Sequence, residues 1–356
     1  MGKSTLFNAL AAAGAEAANY PFCTIEPNVG IVPVPDDRLD RIADLIKPKK
    51  KTPTTLEFVD IAGLVRGASK GEGLGNQFLA NIREVDALLH VLRCFEDPNV
   101  VHVEGQIDPR RDKEVVDTEL CLKDLETVER RRERTLKAAK AAGKAGDEAR
   151  LELAILDRVR SELDKAVPVR AMTLSAEDRL RLRELFLLTE KPVLYVANID
   201  ESQLGNQDDP AVRVVRELAA AENSEAVVLA ARIEAEIQQL PPAERPGFLE
   251  SIGLDEPGLH KVVRTGYHLL GLLTFFTIGE DECRAWTIHR GWRAVQAAGA
   301  IHTDFERGFI KAEVMSWTDL LAFGSEALVR EKGLLRIEGK DYVVQDGDCI
   351  HFRFNV

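Results

Sequence analysis

The sequence lacks any run that approaches about 18 apolar residues, the length that a membrane-spanning helix requires. Its first residues also lack the charged stretch followed by an apolar segment that marks a secretory signal. We therefore expect neither a membrane span nor export, and we expect a cytoplasmic protein.

Cysteine is scarce and scattered. The five cysteines are odd in number and never form a C-x-x-C pair; they are Cys23, Cys94, Cys121, Cys283 and Cys349. We expect reduced structural thiols, and we expect neither a zinc site nor a disulfide framework.

An excess of positive charge is also absent, because 47 Lys and Arg residues face 59 Asp and Glu residues, for a net charge of −12. This balance argues against a protein that coats nucleic acid, so local basic stretches carry the information. The composition that is present, with 45% hydrophobic and 30% charged residues, is that of a soluble globular protein. At 356 residues the chain exceeds a typical single core and predicts two or three domains.

The first residues contain half of a phosphate-binding motif. Gly2, Lys3 and Ser4 fill the last three positions of G-x-x-x-x-G-K-[ST], and Thr5 and an apolar helix start follow. In such a loop the lysine holds the β and γ phosphate oxygens and the hydroxyl binds Mg²⁺, which gives Lys3 and Ser4 those roles. The first glycine of the motif and the strand before it are absent from the sequence. An ordinary capped helix start is the alternative.

A second motif follows a predicted strand at residues 55–60. Asp60 and Gly63 form the D-x-x-G arrangement of nucleotide switches, in which the aspartate reaches Mg²⁺ through water and the glycine N–H meets the γ-phosphate. The glycine-rich stretch that follows is typical of a segment that a γ-phosphate orders and hydrolysis releases. A surface glycine loop is the alternative.

Apolar runs at residues 87–93 and 191–198 predict buried strands of a parallel sheet covered on both faces. Between them, residues 119–167 change to a helical period and predict an antiparallel helical hairpin inserted into the sheet domain. The tip of this arm is basic, through Arg130, Arg131, Arg132, Arg134, Lys137, Lys140, Lys144 and Arg150. Solvated helix faces and a phosphate-facing patch explain this charge equally well.

The remaining chain changes period again. A strand is predicted at 227–231, and helices are predicted at 244–249 and 258–273. After residue 275 a period of two predicts strands at 283–288, 309–314 and 342–354, the last passing through an Asp346-Gly347 turn. The lysine cluster at residues 47–51 is interpreted as a solvated loop, and a binding patch is the alternative.

Several longer strings resemble the YchF/Obg-like ATPase family over essentially the whole chain. They are NYPFCTIEP at 19–27, DIAGLVRGASKGEGLGN at 60–76, IHTDFERGFI at 301–310 and HFRFNV at 351–356. The resemblance implies an α/β fold, in which a P-loop NTPase domain with a mostly parallel sheet carries an inserted antiparallel helical arm and is followed by a C-terminal TGS domain of β-grasp shape. It implies a nucleotide-binding domain at 1–108 and 189–270, the arm at 109–188 and the TGS domain at 271–356.

The base-recognition motif departs from that of GTPases. Where GTPases carry N-K-x-D, this sequence has Asn198, Ile199 and Glu201. Guanine needs a carboxylate for its N1–H and N2–H₂ groups, whereas adenine offers an acceptor at N1 and a donor at N6, which Asn198 is able to serve. The resemblance likewise implies a preference for ATP, and a GTPase in which Glu201 reaches guanine is the alternative.

The resemblance also implies a role for each site residue. The nucleotide-binding set is Gly2, Lys3, Ser4, Thr5, Thr24, Gly63, Asn198, Ile199, Glu201, Ala230 and Ala231, and the Mg²⁺ ligands are Ser4, Thr24 and Asp60. Leu64 stands where Ras-like switches carry the glutamine that orients the attacking water. The resemblance therefore implies that His102 positions or polarises water, while Lys3 stabilises charge on the γ-phosphate.

Potassium dependence is implied as well, but the asparagine that would bind K⁺ belongs to the part of the loop before Gly2. K⁺ is therefore a weaker expectation for this sequence than Mg²⁺. We also expect that Met1 stands for a valine that a GUG codon encodes, and that a strand and the first loop glycine precede it in the native protein.

Taken together, the resemblance implies an ATP-hydrolysing switch that associates with ribosomes, through its arm and TGS domain, and is linked to translation and stress responses. We expect a monomer with ATP and the ribosome, including rRNA, as partners and with no membrane contact. A ribosome- or protein-binding module with little or no turnover is the alternative from another class, since the P-loop is incomplete.

Overall fold

A computed structural model describes residues 2–16, 28–61, 79, 81–96, 107–206 and 209–355 of the chain. In chain order the strands are β1 (Val29–Pro33), β2 (Lys50–Thr52), β3 (Thr55–Val59), β4 (Leu88–Arg93), β5 (Val193–Asn198), β6 (Ala226–Leu229), β7 (Leu272–Thr277), β8 (Glu282–His289), β9 (Phe309–Ser316), β10 (Arg336–Glu338) and β11 (Asp348–Phe354).

The helices are also numbered in chain order. They are α1 (Lys3–Glu16), α2 (Asp37–Ile46), α3 (Pro109–Ala138), α4 (Lys144–Leu163), α5 (Ala176–Leu182), α6 (Pro210–Ala221), α7 (Ala231–Gln239), α8 (Arg245–Ser251), α9 (Gly258–Leu269), α10 (Ala294–Ile301), α11 (Thr303–Arg307), α12 (Trp317–Phe323) and α13 (Glu326–Glu331). Single 3₁₀ turns lie at Val169–Ala171, Arg183–Leu185, Leu188–Glu190 and Glu201–Gln203.

The chain divides into two units, and the first comprises Met1–Phe7 and Val59–Gly258. Its parallel sheet has the order β4-β5-β6. Strands β4 and β5 pair along their whole length, with Leu88 opposite Val193 at their first residues. All six residues of β5 are buried, as expected for a strand covered on both faces. The predicted parallel sheet is therefore confirmed.

Helix α6 shows why these segments fold onto the sheet. Its buried residues Val212, Val215 and Ala219 recur at spacings of three and four, so they share one face and join the core with Tyr195 of β5. Asp209 caps this helix, because its carboxylate accepts from the N–H groups of the first turn.

The inserted arm is a pair of antiparallel helices, α3 and α4, and this prediction is also confirmed. Cys121 and Val128 on α3 pack against Ile155 and Val159 on α4. The first helix begins ten residues earlier than the periodicity indicated, at Pro109, because Asp108 caps its N–H groups. The second begins immediately after Gly143, whose φ of 81° allows the turn between the helices.

The second unit comprises Asn8–Phe58 and Leu259–Val356. It contains a six-stranded mixed sheet of order β10-β9-β11-β7-β8-β2, with α10 packed on it through Ala294, Ala297 and Ala298. A separate two-stranded sheet joins β1 and β3. The domain limits predicted from the sequence, 1–108, 109–188, 189–270 and 271–356, stay predictions.

Three local predictions in this unit were wrong. The helix predicted to reach residue 273 ends at Leu269, and β7 begins at Leu272 after Gly271, because a continuous apolar run fits a buried strand as well as a helix. The predicted Asp346-Gly347 turn is present, but the last strand begins after it, at Asp348 rather than at 342, since the Asp348 carboxylate accepts from the Gln345 N–H and holds the preceding residues in the turn.

The lysine cluster at 47–51 is the third correction, because it is no simple solvated loop. Residues Lys50–Thr52 form β2, which pairs in parallel with β8. Lys50 forms an ion pair with Glu282 at 3.2 Å, and Lys49 forms one with Asp281 at 2.8 Å. Lysines on an edge strand also discourage pairing with another chain.

Within the described ranges, no helix is both long and apolar enough to cross a membrane. The four cysteines that the structure describes are free and buried. The same part of the chain holds no group of three or more His, Cys, Asp or Glu residues arranged to bind a metal ion.

Candidate nucleotide-binding site

Helix α1 starts at the predicted phosphate motif. The helix begins at Lys3, its first backbone hydrogen bond runs from the Leu6 N–H to the Gly2 carbonyl at 2.8 Å, and Leu6 is buried. The first-turn N–H groups of a helix have no partners within the helix and attract anions. Ser4 and Thr5 lie on this turn and are exposed, so the turn is open to a phosphate group.

Gly2 contacts the base-recognition motif directly. Its φ is 88°, and a Cβ built on it would lie 2.2 Å from Asn198 Nδ2 and 3.5 Å from the Ala231 Cβ. The position therefore demands glycine for two reasons, the positive φ and the lack of space.

Asn198 lies at the end of β5 and is only 2% exposed. Its Oδ1 accepts from the Ala231 N–H at 2.9 Å, which fixes which end of the carboxamide is oxygen. The amide nitrogen then faces Gly2. We call this arrangement of Gly2, Asn198 and Ala231 the clasp, and it joins three segments that are far apart in the sequence.

Lys3 and Asp60 meet on the phosphate side of the site. The strand β3 ends at Val59, and the carboxylate of Asp60 forms an ion pair with the Lys3 ammonium. Both side chains are only partly exposed, at 38% and 18%. The predicted phosphate ligand and the predicted metal ligand thus converge on one place, although 57 residues separate them.

The donor set at this place suits Mg²⁺. The carboxylate of Asp60 and the hydroxyl of Ser4, one residue after Lys3, would supply the hard oxygen atoms that Mg²⁺ prefers, and Mg²⁺ typically needs only one or two protein carboxylates. The ion pair with Lys3 keeps the Asp60 carboxylate turned towards the helix start.

Comparison with known proteins identifies the family. The protein of Escherichia coli O157:H7 named "Ribosome-binding ATPase YchF" is 54% identical over 356 residues, which covers 100% of this chain and 97% of that relative. The protein of the same name from Bacillus subtilis (strain 168) is 52% identical over 360 residues, with the same coverage. This chain belongs to the YchF family.

A solved YchF structure has the same fold. The "Structure of the Schizosaccharomyces pombe YchF GTPase" matches with a TM-score of 0.90 and 36% identity, over 99% of this chain and 95% of that one. The family model YchF-GTPase_C, described as "Protein of unknown function (DUF933)", matches residues 272–355, and the one described as "50S ribosome-binding GTPase" matches residues 1–120. The fold is thus a YchF-type P-loop GTPase domain followed by a C-terminal domain.

The other predicted base-site residues of this YchF chain take different positions. Ile199 is 5% exposed and packs in the core of the sheet, while its N–H donates to the Leu229 carbonyl at 2.9 Å. Glu201 is exposed in the 3₁₀ turn that follows. Ala230 and Ala231 lie at the start of α7, and both are buried.

Three predicted residues lie outside the described part of the YchF chain, namely Thr24, Gly63 and His102. The loop at 19–27, most of the glycine-rich switch stretch and the segment around His102 fall there as well. Their predicted roles stay predictions.

Gln203 supports the site and was missed in the sequence. Its Oε1 accepts from the Asp200 N–H at 2.8 Å, and its Nε2 donates to the Cys94 carbonyl at 3.0 Å. It therefore ties the turn after Asn198 to the end of β4. The signal was present, because Asp200 and Gln203 have the spacing of a capping box.

Proposed function

We propose that this YchF-family chain binds and hydrolyses ATP with Mg²⁺ and acts as a nucleotide-dependent switch on the ribosome. The observation that carries this proposal is the assembly of the phosphate and base segments in one site, by the Lys3–Asp60 ion pair and the clasp. Relatives that match the whole chain are named ribosome-binding ATPases. A ribosomal partner would place the protein in the cytoplasm.

This geometry supports the roles of Lys3, Ser4 and Asp60 on the phosphate side. Lys3 turns from Asp60 to the β and γ oxygens when a nucleotide binds, and the exposed N–H groups of the first helical turn donate to phosphate. Ser4 and Asp60, with Thr24, would hold the Mg²⁺ that P-loop NTPases generally use. When bound, Mg²⁺ neutralises charge on the β and γ phosphates. Gly63 is assigned to the γ-phosphate and His102 to the attacking water on the family resemblance.

The preference for ATP rests on the base motif. The names of the relatives differ here, since the bacterial proteins are named ATPases and the Schizosaccharomyces pombe protein a GTPase. In this chain Ile199 packs in the core and cannot serve as the lysine of N-K-x-D does. The longer Glu201 replaces the aspartate that guanine requires, and it faces solvent. Asn198 acts by holding the loop at Ala230 and Ala231 against Gly2.

Titration with both nucleotides tests this proposal. We expect ATP with Mg²⁺ to bind more tightly than GTP, and Lys3→Ala to weaken ATP binding by at least about tenfold, because a charged hydrogen bond contributes about 1.5–3 kcal/mol. Lys137→Ala, which removes an exposed lysine of the arm, is the matched control. Equal affinities would make the protein a GTPase or an unselective NTPase, and the absence of binding would favour the binding module.

Turnover is tested separately from binding. We expect His102→Ala to lower the rate of ATP hydrolysis while leaving the affinity for ATP within about threefold of the original, since a water-positioning group acts on the transition state rather than the bound substrate. An unchanged rate would remove His102 from the mechanism.

We further propose that the arm contacts ribosomal RNA through one face of α3. Four of the basic tip residues form ion pairs with acidic residues of the hairpin. These pairs are Arg131 with Glu152, Arg132 with Asp157, Lys144 with Glu148 and Arg150 with Asp147. Arg134 and Lys137 are exposed on adjacent turns, Lys140 is exposed just beyond the helix, and none of the three forms an ion pair within the described residues. The C-terminal domain is proposed as a second contact.

Ribosome binding at several salt concentrations tests this face. Replacing Arg134, Lys137 and Lys140 with glutamine should weaken ribosome binding and flatten its salt dependence. Binding with fewer phosphate contacts releases fewer counterions. Arg150→Gln, whose charge is already paired, should leave the slope unchanged. Equal slopes for the two variants would show that the arm binds through other groups. Sedimentation of the free protein checks the expected monomer.

A further inference from the structure

Four charged side chains form a closed ring at the base of the arm. Lys113 Nζ lies 2.5 Å from an Asp117 oxygen and 2.6 Å from a Glu222 oxygen. Arg170 closes the ring, with 2.5 Å from NH2 to Asp117 and 2.7 Å from Nε to Glu222. Each charge therefore has two neighbours of opposite sign, and the four charges sum to zero.

The ring is buried, which distinguishes it from the exposed pairs along the arm. The four side chains are between 5% and 10% exposed. Burial alone would raise the pKa of Asp117, but Arg170 and Lys113 hold that pKa below its ordinary value. Burial likewise opposes the charge of Glu222, and Arg170 again keeps the pKa low. Buried ions that have partners of opposite charge stay charged, and removing one of them leaves the other as an unpaired buried charge, which is strongly destabilising.

The ring connects both ends of the arm, where the chain enters it and leaves it, to the parallel sheet of the first unit. Lys113 and Asp117 lie on α3, where the chain enters the arm, and Arg170 lies in the 3₁₀ turn where the chain returns from it. Glu222 ends α6, the helix that follows the base motif. The Tyr195 hydroxyl donates to Glu222 at 2.7 Å, and Tyr195 lies three residues before Asn198 on β5.

A second tie lies beside the ring and restrains the same helix. The buried carboxylate of Asp124 on α3 accepts from the Leu188 N–H at 2.8 Å, and from the N–H and hydroxyl of Thr189, both at 2.7 Å. Leu188 and Thr189 lead directly into β5. Asp124 lies about two turns beyond Asp117 on α3, so these contacts restrain the helix separately from the ring.

We propose that Lys113, Asp117, Arg170 and Glu222 are positioning residues that lock the arm to β5, so that the arm and the strand presenting Asn198 move as one body. The long arm then cannot swing at its base, and its direction is set by the sheet. Any binding surface on the arm therefore moves together with the parallel sheet of the first unit. The role of Asn198 in the nucleotide site rests on the proposed function, whereas the rigid attachment of the arm does not.

A distance measurement between spin labels tests the lock. One label replaces Lys140 near the arm tip and the other replaces Glu225 beside β6; both positions are exposed. The background carries Cys23→Ser, since the described native cysteines are buried. The protein is measured without nucleotide, so the result is independent of whether ATP binds.

Removing one opposite pair should release the arm. In Lys113→Met/Asp117→Leu the remaining Arg170 and Glu222 still neutralise each other, so no lone charge is buried. We expect the width of the distance distribution to increase at least about twofold, because the base becomes a hinge. Arg132→Gln/Asp157→Asn removes an exposed pair within the arm and should leave the width unchanged.

Other outcomes would overturn the lock. A broad distribution in the original chain would show that the arm already swings, and an unchanged width in the folded ring variant would show that the ring contributes stability alone. Lys113→Gln/Asp117→Asn, which replaces both charges with neutral polar groups, is measured in parallel and judged by the same criterion if the apolar variant does not fold.

Discussion

Replacing Gly2 with alanine tests whether the clasp holds the nucleotide site together. An added Cβ would lie 2.2 Å from Asn198 Nδ2, so the carboxamide must move. It would then release the Ala231 N–H, which now donates to its Oδ1 at 2.9 Å in a buried position. The positive φ of 88° adds strain for any residue with a side chain.

The magnitude follows from these two terms. A left-handed conformation costs an alanine about 1–2 kcal/mol. A buried donor left without a partner costs about 1–3 kcal/mol. Together they reach about 2–5 kcal/mol, and since 1.4 kcal/mol corresponds to a factor of ten, we expect ATP affinity to fall by more than about tenfold.

A control variant shows whether backbone strain away from the site lowers ATP affinity. Gly143 has a φ of 81°, and nothing lies within 4 Å of a Cβ built on it. Gly143→Ala therefore carries the backbone strain without the collision, at the tip of the arm. Isothermal titration with ATP should find normal affinity for this variant. If Gly2→Ala also binds ATP normally, the clasp does not shape the nucleotide site.

Two further predictions concern stability. Asp124→Asn should lower the free energy of unfolding in urea by about 1–3 kcal/mol, because a carboxamide cannot accept all three hydrogen bonds from Leu188 and Thr189; an unchanged midpoint would contradict this. Hydrogen bonds from Arg353 hold the pKa of Glu313 at about 2 instead of the ordinary 4.5. A lowered folded-state pKa gives stability that is present above 4.5 and lost as the pH falls towards 2. The difference in melting temperature between the original chain and Glu313→Gln should therefore shrink over that range, and a difference that is constant with pH would refute the linkage.

Local sequence patterns predicted the elements whose period is unambiguous. The apolar run of β5 is long enough to indicate a buried parallel strand, and the heptad-like spacing from Cys121 to Val167 indicated the arm. The phosphate motif also begins a helix where predicted. These features depend on neighbours within a few residues, so the sequence contains them directly.

Patterns that fit two structures were resolved only by tertiary pairing. The apolar residues around Leu272 suit a helix or a buried strand, and pairing with β8 and β11 made them β7. Lys50–Thr52 became a strand because β8, more than 200 residues later, offered a free edge. A strand needs hydrogen-bond partners from elsewhere in the chain, which no local pattern specifies.

The motifs of the site were legible in the sequence, while their contacts were not. Gly2, Lys3, Asp60 and Asn198 could be named from their spacing and from the family resemblance. Only the fold showed that the Asn198 oxygen accepts from the Ala231 N–H and that the Asn198 amide nitrogen faces Gly2. It also showed the ion pair between Lys3 and Asp60. The same holds for the buried ring at the base of the arm. Charged residues scattered along a sequence look like ordinary surface residues, and only packing in three dimensions shows that four of them are buried and neutralise one another.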